Sequence, residues 1–170
     1  MTPRLILRPL EPDDATQRYL DWFDDPDTRR FIVAARERQT LDSIRFFIER
    51  RRMSESALLL GIFERQHGLH IGNIKFEPID LSTGRAVLGV LIGDAAWRGR
   101  GIFTEAFEVS ATWLCKNFGL REIWLSLDRT HAAAIRGYLR AGFCEASPPE
   151  ELFGAALDGL MYMQRDVSGG

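Results

Sequence analysis

The fold of this chain is decided by the stretch Trp97-Arg98-Gly99-Arg100-Gly101-Ile102-Phe103-Thr104-Glu105-Ala106. It follows an apolar run at residues 87–92 that predicts a β-strand, and it leads into helical periodicity over residues 104–118. The two glycines permit positive φ and carry no Cβ, so the backbone can approach a bound group closely. The first amides of a helix have no intrahelical acceptor and can bind phosphate oxygens, and the two arginines add positive charge. The loop therefore predicts a site for a phosphorylated ligand.

This loop differs from two common phosphate-binding motifs. A P-loop ends in Gly-Lys-Ser/Thr, which does not occur in the stretch. A dinucleotide-binding fingerprint requires a third glycine, and Thr104 occupies that position. A Gly-Arg-Gly loop taken alone is also compatible with a basic surface turn, so the ligand has to be inferred from the rest of the chain.

Length and composition indicate one soluble globular domain. The chain has 170 residues, of which 45% are hydrophobic and 27% charged, and a formal net charge of −2. A dedicated nucleic-acid-binding protein normally carries a basic excess, so no nucleic-acid partner is expected. No apolar run approaches transmembrane length and no signal-peptide core is visible, so we expect a cytoplasmic protein without a membrane partner.

Three segments in order resemble the GCN5-related N-acetyltransferases, the GNAT superfamily. The loop matches the pyrophosphate-binding pattern Gln/Arg-x-x-Gly-x-Gly/Ala at its two glycines, and residues 104–106 match the Rim-type branch, which contains the ribosomal-protein-alanine acetyltransferases. Residues 131–143 resemble the later motif Asn-x-x-Ala/Ser-Ile-x-x-Tyr-x-x-x-Gly-Phe. Residues 4–15 are similar to the first strand and helix start of the same branch. Together the three segments span nearly the whole chain.

The element pattern predicts an α+β fold of one domain, residues 1–166, followed by a frayed tail at residues 167–170. A hairpin of residues 57–63 and 69–77 and a late βαβ unit indicate a mixed sheet. The resemblance implies a GNAT-like fold, with a twisted, mostly antiparallel sheet of six to seven strands and about four flanking helices. It also implies that strands 86–92 and 122–128 splay apart at the cofactor site.

Local signals predict the ends and the buried faces of the helices. We expect Asp13 or Asp14 to cap the first helix, Thr40 to cap the second, and residues 24–27 to form a turn. Gly119 should end the long helix as its C-terminal glycine. The predicted buried stripe of that helix consists of Phe107, Ser110, Ala111, Leu114 and Phe118.

The histidines and cysteines show no metal-ligand spacing, and no metal is expected. His67 and His70 flank a predicted hairpin turn, which favours solvent-exposed side chains. Cys115 and Cys144 are interpreted as core residues in a reducing compartment.

The resemblance implies acetyl-CoA as co-substrate, with its pantetheine arm along the splayed strand edges. A backbone amide near Leu91 would polarise the thioester carbonyl, and Gly89 would suit a bulge in the same strand. The cofactor-binding residues that follow from the resemblance and the loop are Leu91, Ile92, Arg98, Gly99, Arg100, Gly101, Ile102, Phe103, Thr104, His131, Ala134 and Tyr138.

Two catalytic roles are predicted. The motif match implies that Tyr138 gives a proton to the leaving CoA thiolate. Glu77 is the first candidate for the base that deprotonates the amine, because it ends a strand expected to flank the acceptor site. Asp94 and Asp128 are weaker candidates for that role.

The acceptor amine is predicted to belong to a small molecule, such as an amino sugar or a nucleotide-linked amino sugar. Residues 19–26 and 71–75 are similar to stretches of acetyltransferases that act on such sugars. An anionic substrate of this kind could meet the arginines between the first two helices, which are Arg29, Arg30, Arg36 and Arg38. The acidic side chains Asp24, Asp25 and Asp27 would instead attract a cationic amine such as an aminoglycoside or polyamine.

Two alternative functions remain open from the sequence. One is acetylation of the N-terminal alanine of a ribosomal protein. The other is a non-catalytic acyl-CoA-binding module, which is motivated by the departures from the family pattern at Ala96, Phe103 and His131. Leu152 and Phe153 fit either a homodimer face or burial within the domain, so a homodimer is a further expectation.

Overall fold

The computed structural model describes residues 2–169, which form a seven-stranded sheet in the order β1-β2-β3-β4-β5-β7-β6. The strands are β1 (Leu5–Pro9), β2 (Leu58–Glu64), β3 (His70–Asp80), β4 (Arg85–Leu91), β5 (Glu122–Asp128), β6 (Cys144–Glu145) and β7 (Leu160–Asp166). The α-helices are α1 (Gln17–Asp21), α2 (Pro26–Phe31), α3 (Leu41–Arg52), α4 (Ile102–Phe118), α5 (Ala132–Arg140) and α6 (Glu150–Phe153). Short 3₁₀ turns lie at Pro12–Asp14, Trp22–Asp24, Val33–Arg36 and Ala95–Trp97.

Every neighbouring strand pair is antiparallel except β4 and β5, which are parallel. The connection from β4 through α4 to β5 is therefore the expected βαβ unit, and the α+β fold with a mixed sheet is confirmed. Six α-helices are present among the described residues, where about four were expected. The additional ones are short: Asp25 caps α2 at Pro26, so the predicted turn at residues 24–27 is a helix start, and α6 precedes the last strand.

The sheet has a hydrophobic core on each face. One face, called the α4 face below, packs against α4 and α5; its buried side chains include Ile74, Phe76 and Phe107. The other, called the α3 face, is covered by α1 and α3, and Tyr19 and Trp22 are buried there. The strand order places β4 in the middle of the sheet with β3 beside it, and both strands contribute side chains alternately to the two faces.

The long helix α4 begins at Ile102, two residues earlier than expected. Gly101 adopts a φ of +76° as its N-cap, and Gly119 ends the helix at a φ of +67°, as predicted. Four members of the predicted stripe are buried, but Phe118 is 46% exposed. The fully buried Leu120 fills the core at that end of the helix instead.

The first helix is capped by Thr16, not by Asp13 or Asp14. The Thr16 hydroxyl accepts from the Tyr19 amide, whereas Asp14 binds Arg8 in a bidentate pair at 2.7 and 2.6 Å. Thr40 caps α3 as predicted, in a reciprocal capping box with Ser43.

Several predicted environments differ in the structure. His70 is buried on β3 and stacks on Phe63 at a ring-centroid distance of 4.6 Å, while His67 is exposed. Cys144 is exposed and Cys115 only partly buried. Val167, which was assigned to the tail, packs in the core and donates its amide to the carbonyl of Arg121.

The predicted bulge at Gly89 is absent. Gly89 pairs regularly with Lys75, and the irregularity lies further along β3, between Phe76 and Ile79. No helix in the described part of the chain, residues 2–169, is long and apolar enough to cross a membrane.

Candidate functional site

The central feature of the site is a V-shaped opening between β4 and β5. The two strands pair over only three residues each, from Arg85 opposite Glu122 to Val87 opposite Trp124. Beyond that point β4 continues to Leu91, and β5 continues to Asp128 while paired with β7. The residues of β4 after Val87 therefore have no strand on their β5 side, which leaves alternate backbone N–H and C=O groups free to bind a ligand.

The Gly-Arg-Gly loop follows the unpaired end of β4 along the chain and starts α4. Gly99 and Gly101 have φ values of +72° and +76°, a region that glycine enters without a steric penalty. A Cβ on Gly99 would meet no atom within 4 Å, so the space above the loop is open. The first helical hydrogen bond runs from the amide of Glu105 to the carbonyl of Gly101. The preceding amides of α4, at Ile102, Phe103 and Thr104, are thus free to bind an anion.

The two loop arginines have different environments. The Arg98 guanidinium turns away from the loop and donates to Asp25 at 2.9 Å, to the Thr28 hydroxyl at 3.2 Å, and to the carbonyls of Ile92 and Gly93. Its charge is therefore compensated by Asp25, and its side chain joins α2 to the loop. Arg100 is exposed, with its guanidinium near the Trp97 ring, and it supplies the uncompensated positive charge of the loop.

Arg4, which sequence reasoning did not assign to the site, supports the loop from behind. Its guanidinium donates to the carbonyl of Arg100 at 3.1 Å and to Glu105 at 2.7 Å. Glu105 stands in the first turn of α4, where a carboxylate is favourable to the helix dipole. In the sequence Arg4 is visible only as a basic residue before β1, and nothing there indicates that it contacts the loop.

Contacts from α1 and the turn after it hold the segment between β4 and the loop. Arg18 forms an ion pair with Asp94 and also donates to the carbonyl of His70. Trp22 lies directly on Gly93, where a Cβ would come within 1.9 Å of the indole ring. Only glycine fits at position 93 without displacing the tryptophan.

Replacing Gly93 with alanine is expected to destabilise the protein by about 1–3 kcal/mol, because overpacking forces the buried Trp22 or the backbone to move. Urea denaturation of both proteins measures this change. Alanine at Gly137, whose Cβ would meet nothing within 4 Å, serves as the control. An unchanged unfolding free energy for the Gly93 variant would contradict the close contact.

His131 caps α5 at the mouth of the opening. Its Nδ1 accepts from the amide of Ala134 at 3.4 Å, which places the ring proton on Nε2. Burial lowers the pKa of His131, so the ring is neutral near pH 7. The ring stacks on Phe31 of α2 at a centroid distance of 3.7 Å, a contact that the sequence did not indicate.

Tyr138 lies on α5, half-buried between two phenylalanine rings. Its ring meets Phe103 edge-on at 4.9 Å and Phe143 at 5.7 Å. Burial raises the pKa of the Tyr138 hydroxyl, so the group keeps its proton throughout the neutral range. Phe103 packs against Tyr138 and Phe107 and does not fill the space above the loop.

The last residue of β4 and the residue after it face opposite sides of the sheet. Leu91 packs against the core of the α3 face, and Ile92 packs against the core of the α4 face. Both residues lie beyond the last β4–β5 pair, at the edge of the opening.

Glu77 is held by two cations. Its Oε2 accepts from Lys75 at 2.8 Å and from two nitrogens of Arg51, each at 3.1 Å. Partial burial raises the pKa of Glu77, but the hydrogen bond and charge of Lys75 and the charge of Arg51 outweigh it, so the pKa is lowered. A lower pKa makes this carboxylate a weaker proton acceptor.

The two other carboxylates considered as bases are also engaged. Asp94 caps the turn at Ala95–Trp97 and pairs with Arg18. Asp128 accepts from the hydroxyl and amide of Thr130 at 2.6 and 2.7 Å, which lowers its pKa.

Comparison with known proteins agrees with this geometry. The family model described as an acetyltransferase (GNAT) domain matches residues 4–144. No curated protein sequence matches the chain.

Several solved structures share the fold. One is RimL, a ribosomal L7/L12 alpha-N-protein acetyltransferase in complex with coenzyme A, at a TM-score of 0.82, 13% identity, and coverage of 99% of this chain and 97% of that one. A second is the microcin C7 self-immunity acetyltransferase MccE in complex with acetyl-CoA and AMP. Its TM-score is 0.80 and its identity 17%, with coverage of 97% of this chain and 93% of that one. A third is a spermidine N-acetyltransferase chimera from Vibrio cholerae and hSSAT. Its TM-score is 0.77 and its identity 17%, with coverage of 96% of this chain and 96% of that one.

At these identities the likeness to solved structures shows the fold. With the family match over most of its length, the chain belongs to the GNAT acetyltransferases and is an N-acetyltransferase that uses acetyl-CoA as its co-substrate.

Proposed function

We propose that the chain acetylates the primary amine of a small molecule, such as an amino sugar or a nucleotide-linked amino sugar, by direct attack of the amine on acetyl-CoA. The observation that carries this proposal is the opening between β4 and β5, which leads to the free amides of α4. The pyrophosphate would bind these amides together with Arg100. The pantetheine arm would follow the unpaired edge of β4, which places the thioester near Leu91 and Ile92.

The reaction then needs two contributions from the chain. A backbone amide at the end of β4 donates to the thioester oxygen, and such a donor stabilises the tetrahedral intermediate by about 3 kcal/mol. The amine nitrogen forms the new bond to the acetyl carbon, and the carbon–sulfur bond breaks as the intermediate collapses. Tyr138 gives its hydroxyl proton to the departing thiolate, because its pKa keeps it protonated until that step. The proton that the amine nitrogen loses passes to water, and the Tyr138 phenolate takes a proton back from water.

The charges around α2 favour a small anionic acceptor over a polycation. Asp25 and Asp27 pair with Arg98, and Asp24 pairs with Arg29, so all three acidic residues near α2 have internal partners. Arg36 and Arg38 are exposed and form no ion pair with any of residues 2–169. These two arginines therefore remain available to an anionic group of the acceptor.

Acetylation of a protein N-terminal alanine is the second candidate. It is supported by the match of residues 104–106 to the Rim-type loop. A peptide with a free N-terminal alanine therefore belongs in the panel of acceptors.

A thermal-shift titration with acetyl-CoA, CoA and ATP tests the proposed cofactor site. Acetyl-CoA and CoA at 100 times their Kd should stabilise the fold by about 2.7 kcal/mol, which corresponds to a Tm rise of roughly 5–10 °C. ATP should cause a much smaller shift, because it lacks the pantetheine arm. A panel of amines, read out by release of free CoA thiol, then identifies the acceptor. No shift at millimolar acetyl-CoA would overturn the proposal.

A further inference from the structure

A polar row on β3 faces the α3 side of the sheet beside the opening. Asn73, Lys75 and Glu77 alternate with the buried Ile74 and Phe76, so their side chains share the α3 face. The strand register places Asn73 opposite Leu91 and Lys75 opposite Gly89 of β4. The row therefore runs alongside the part of β4 that borders the opening.

Lys75 reaches over the start of the opening. A Cβ at Gly89 would lie 3.5 Å from Cε of Lys75, so the lysine side chain lies over β4 at that residue, with its ammonium bound to Glu77. Gly89 is the second residue after Val87, the last residue of β4 that pairs with β5. An amine that attacks a thioester near Leu91 therefore passes close to this lysine.

The row and the neighbouring Arg51 of α3 together carry an excess of positive charge. Lys75 and Arg51 share the single carboxylate of Glu77, and the side chains of all three residues are between 20% and 29% exposed. One positive charge remains uncompensated, and the Lys75 ammonium has two further donors. The Arg51 guanidinium also rests on the Phe47 ring at 3.9 Å, which fixes its position.

Asn73 holds an unpaired donor in the same row. The side chain is 5% exposed, and its Oδ1 accepts from Nε2 of His70 at 2.8 Å. That nitrogen also lies 3.1 Å from the carbonyl of Gly72. Because both neighbours are acceptors, Nε2 carries the proton of the His70 ring, and this donor fixes which end of the Asn73 side-chain amide faces it. Nδ2 of Asn73 has no hydrogen-bond partner among residues 2–169. A buried donor without a partner costs about 1–3 kcal/mol, which an oxygen of a bound molecule would recover.

On these grounds, and resting on the proposed acetyl transfer, we propose that the acceptor is a primary amine that carries a carboxylate or phosphate group. Lys75 and Arg51 bind the anionic group, and Asn73 donates from Nδ2 to an oxygen of the same molecule. Glu77 is a positioning residue that holds the two cations. The uncompensated charge also disfavours the ammonium form of the acceptor, so recognition and deprotonation of the amine are linked.

Matched pairs of amines test the proposal with the full-length protein. O-phosphoethanolamine is compared with ethanolamine and β-alanine with propylamine, and spermidine represents a polycation. We expect kcat/KM to favour the anionic member of at least one pair by about tenfold or more, because hydrogen bonds to charged groups contribute that much. The pair with the larger ratio of kcat/KM values shows whether the site prefers a phosphate or a carboxylate. Equal kcat/KM values within both pairs, or a preference for spermidine, would overturn the proposal.

Substitutions on the row give a second readout. Lys75→Met should abolish the preference and move the acid limb of the kcat profile at saturating amine to higher pH, because the bound acceptor ammonium loses a repulsive neighbour. Glu77→Gln should strengthen the preference and move the acid limb to lower pH. If Glu77 were the general base, the same variant would instead lose activity at every pH. Arg50→Met removes a charge from the exposed side of α3, the helix that carries Arg51. This control should change neither the preference for the anionic amine nor the pH of the acid limb.

Calorimetric titration separates this proposal from acetyl transfer itself. With CoA bound, the preferred anionic amine should bind the wild-type protein at least about tenfold more tightly than Lys75→Met. Binding without turnover of any amine would support the anionic subsite and overturn the proposed reaction. Turnover with equal affinities in both proteins would support the reaction and overturn the subsite.

Discussion

Replacing Tyr138 with phenylalanine is expected to lower kcat by about 100-fold, while the Kd for acetyl-CoA stays within about twofold. The variant loses only the hydroxyl that protonates the leaving thiolate. Without it, the thiolate departs as an anion or takes its proton from water, and both routes have a higher barrier. Cofactor binding should survive, because it depends on the loop and the open edge of β4.

The packing around Tyr138 makes this substitution a clean test. A phenylalanine ring keeps the contacts with Phe103 and Phe143, so the fold has no new cavity. Single-turnover release of CoA thiol is the appropriate measurement, because it separates chemistry from product release.

Tyr162→Phe is the matched control. Its hydroxyl accepts from the amide of Leu157 at 3.0 Å, so the variant loses a structural hydrogen bond and should keep its kcat. Equal single-turnover rates for wild-type protein and Tyr138→Phe would remove Tyr138 from the mechanism.

The parts of the fold that were correctly predicted are those determined by local chemistry. The strand before the loop and Gly119 at the end of α4 follow from an apolar run and from a conformation that only glycine adopts freely. The Thr40 cap is predictable because the threonine hydroxyl accepts a hydrogen bond from the Ser43 amide in the first turn of the helix that it caps. Each of these features is stabilised by residues close in the sequence.

The features that were missed depend on partners far apart in the chain. Asp14 is an exception, because Arg8, which binds its carboxylate in place of the α1 amides, is only six residues away. His70 was assigned to a turn, but the aromatic side chains of α1 and the turn after it bury the ring. No local pattern contains this information, because the burial arises only when α1 packs on the sheet.

The same distinction applies to the candidate site. The anion-binding loop was evident from its own residues, whereas the orientation of Arg98 depends on Asp25 and Thr28 of α2. Lys75 was not assigned to the site, because its place beside the opening depends on the register between β3 and β4. The environment of Glu77 depends likewise on Arg51, which comes from α3.

Replacing Gly101 with alanine is expected to weaken acetyl-CoA binding by about tenfold or more. Gly101 has a φ of +76°, which costs an alanine about 1–2 kcal/mol, and the strain would be relieved by moving the first amides of α4. Its Cβ would have only Nη2 of Arg4 nearby, at 3.9 Å, so the expected loss comes from backbone strain and not from a steric clash. That strain acts on the amides proposed to bind the pyrophosphate. The Kd from calorimetry with acetyl-CoA measures the loss.

Two controls separate phosphate binding from general strain. S-acetylpantetheine lacks the pyrophosphate, so the Gly101 variant should use it as well as the wild-type protein does. Gly68→Ala places the same strain, at a φ of +68°, in the turn between β2 and β3, where a Cβ meets nothing within 4 Å. That variant should lose similar stability and keep its affinity for acetyl-CoA. If both glycine variants weakened acetyl-CoA binding equally, strain would explain the effect; if the Gly101 variant used S-acetylpantetheine poorly, the loop would serve the thioester end. Only a loss confined to Gly101 and to the pyrophosphate-containing cofactor would place the phosphates on the amides of α4.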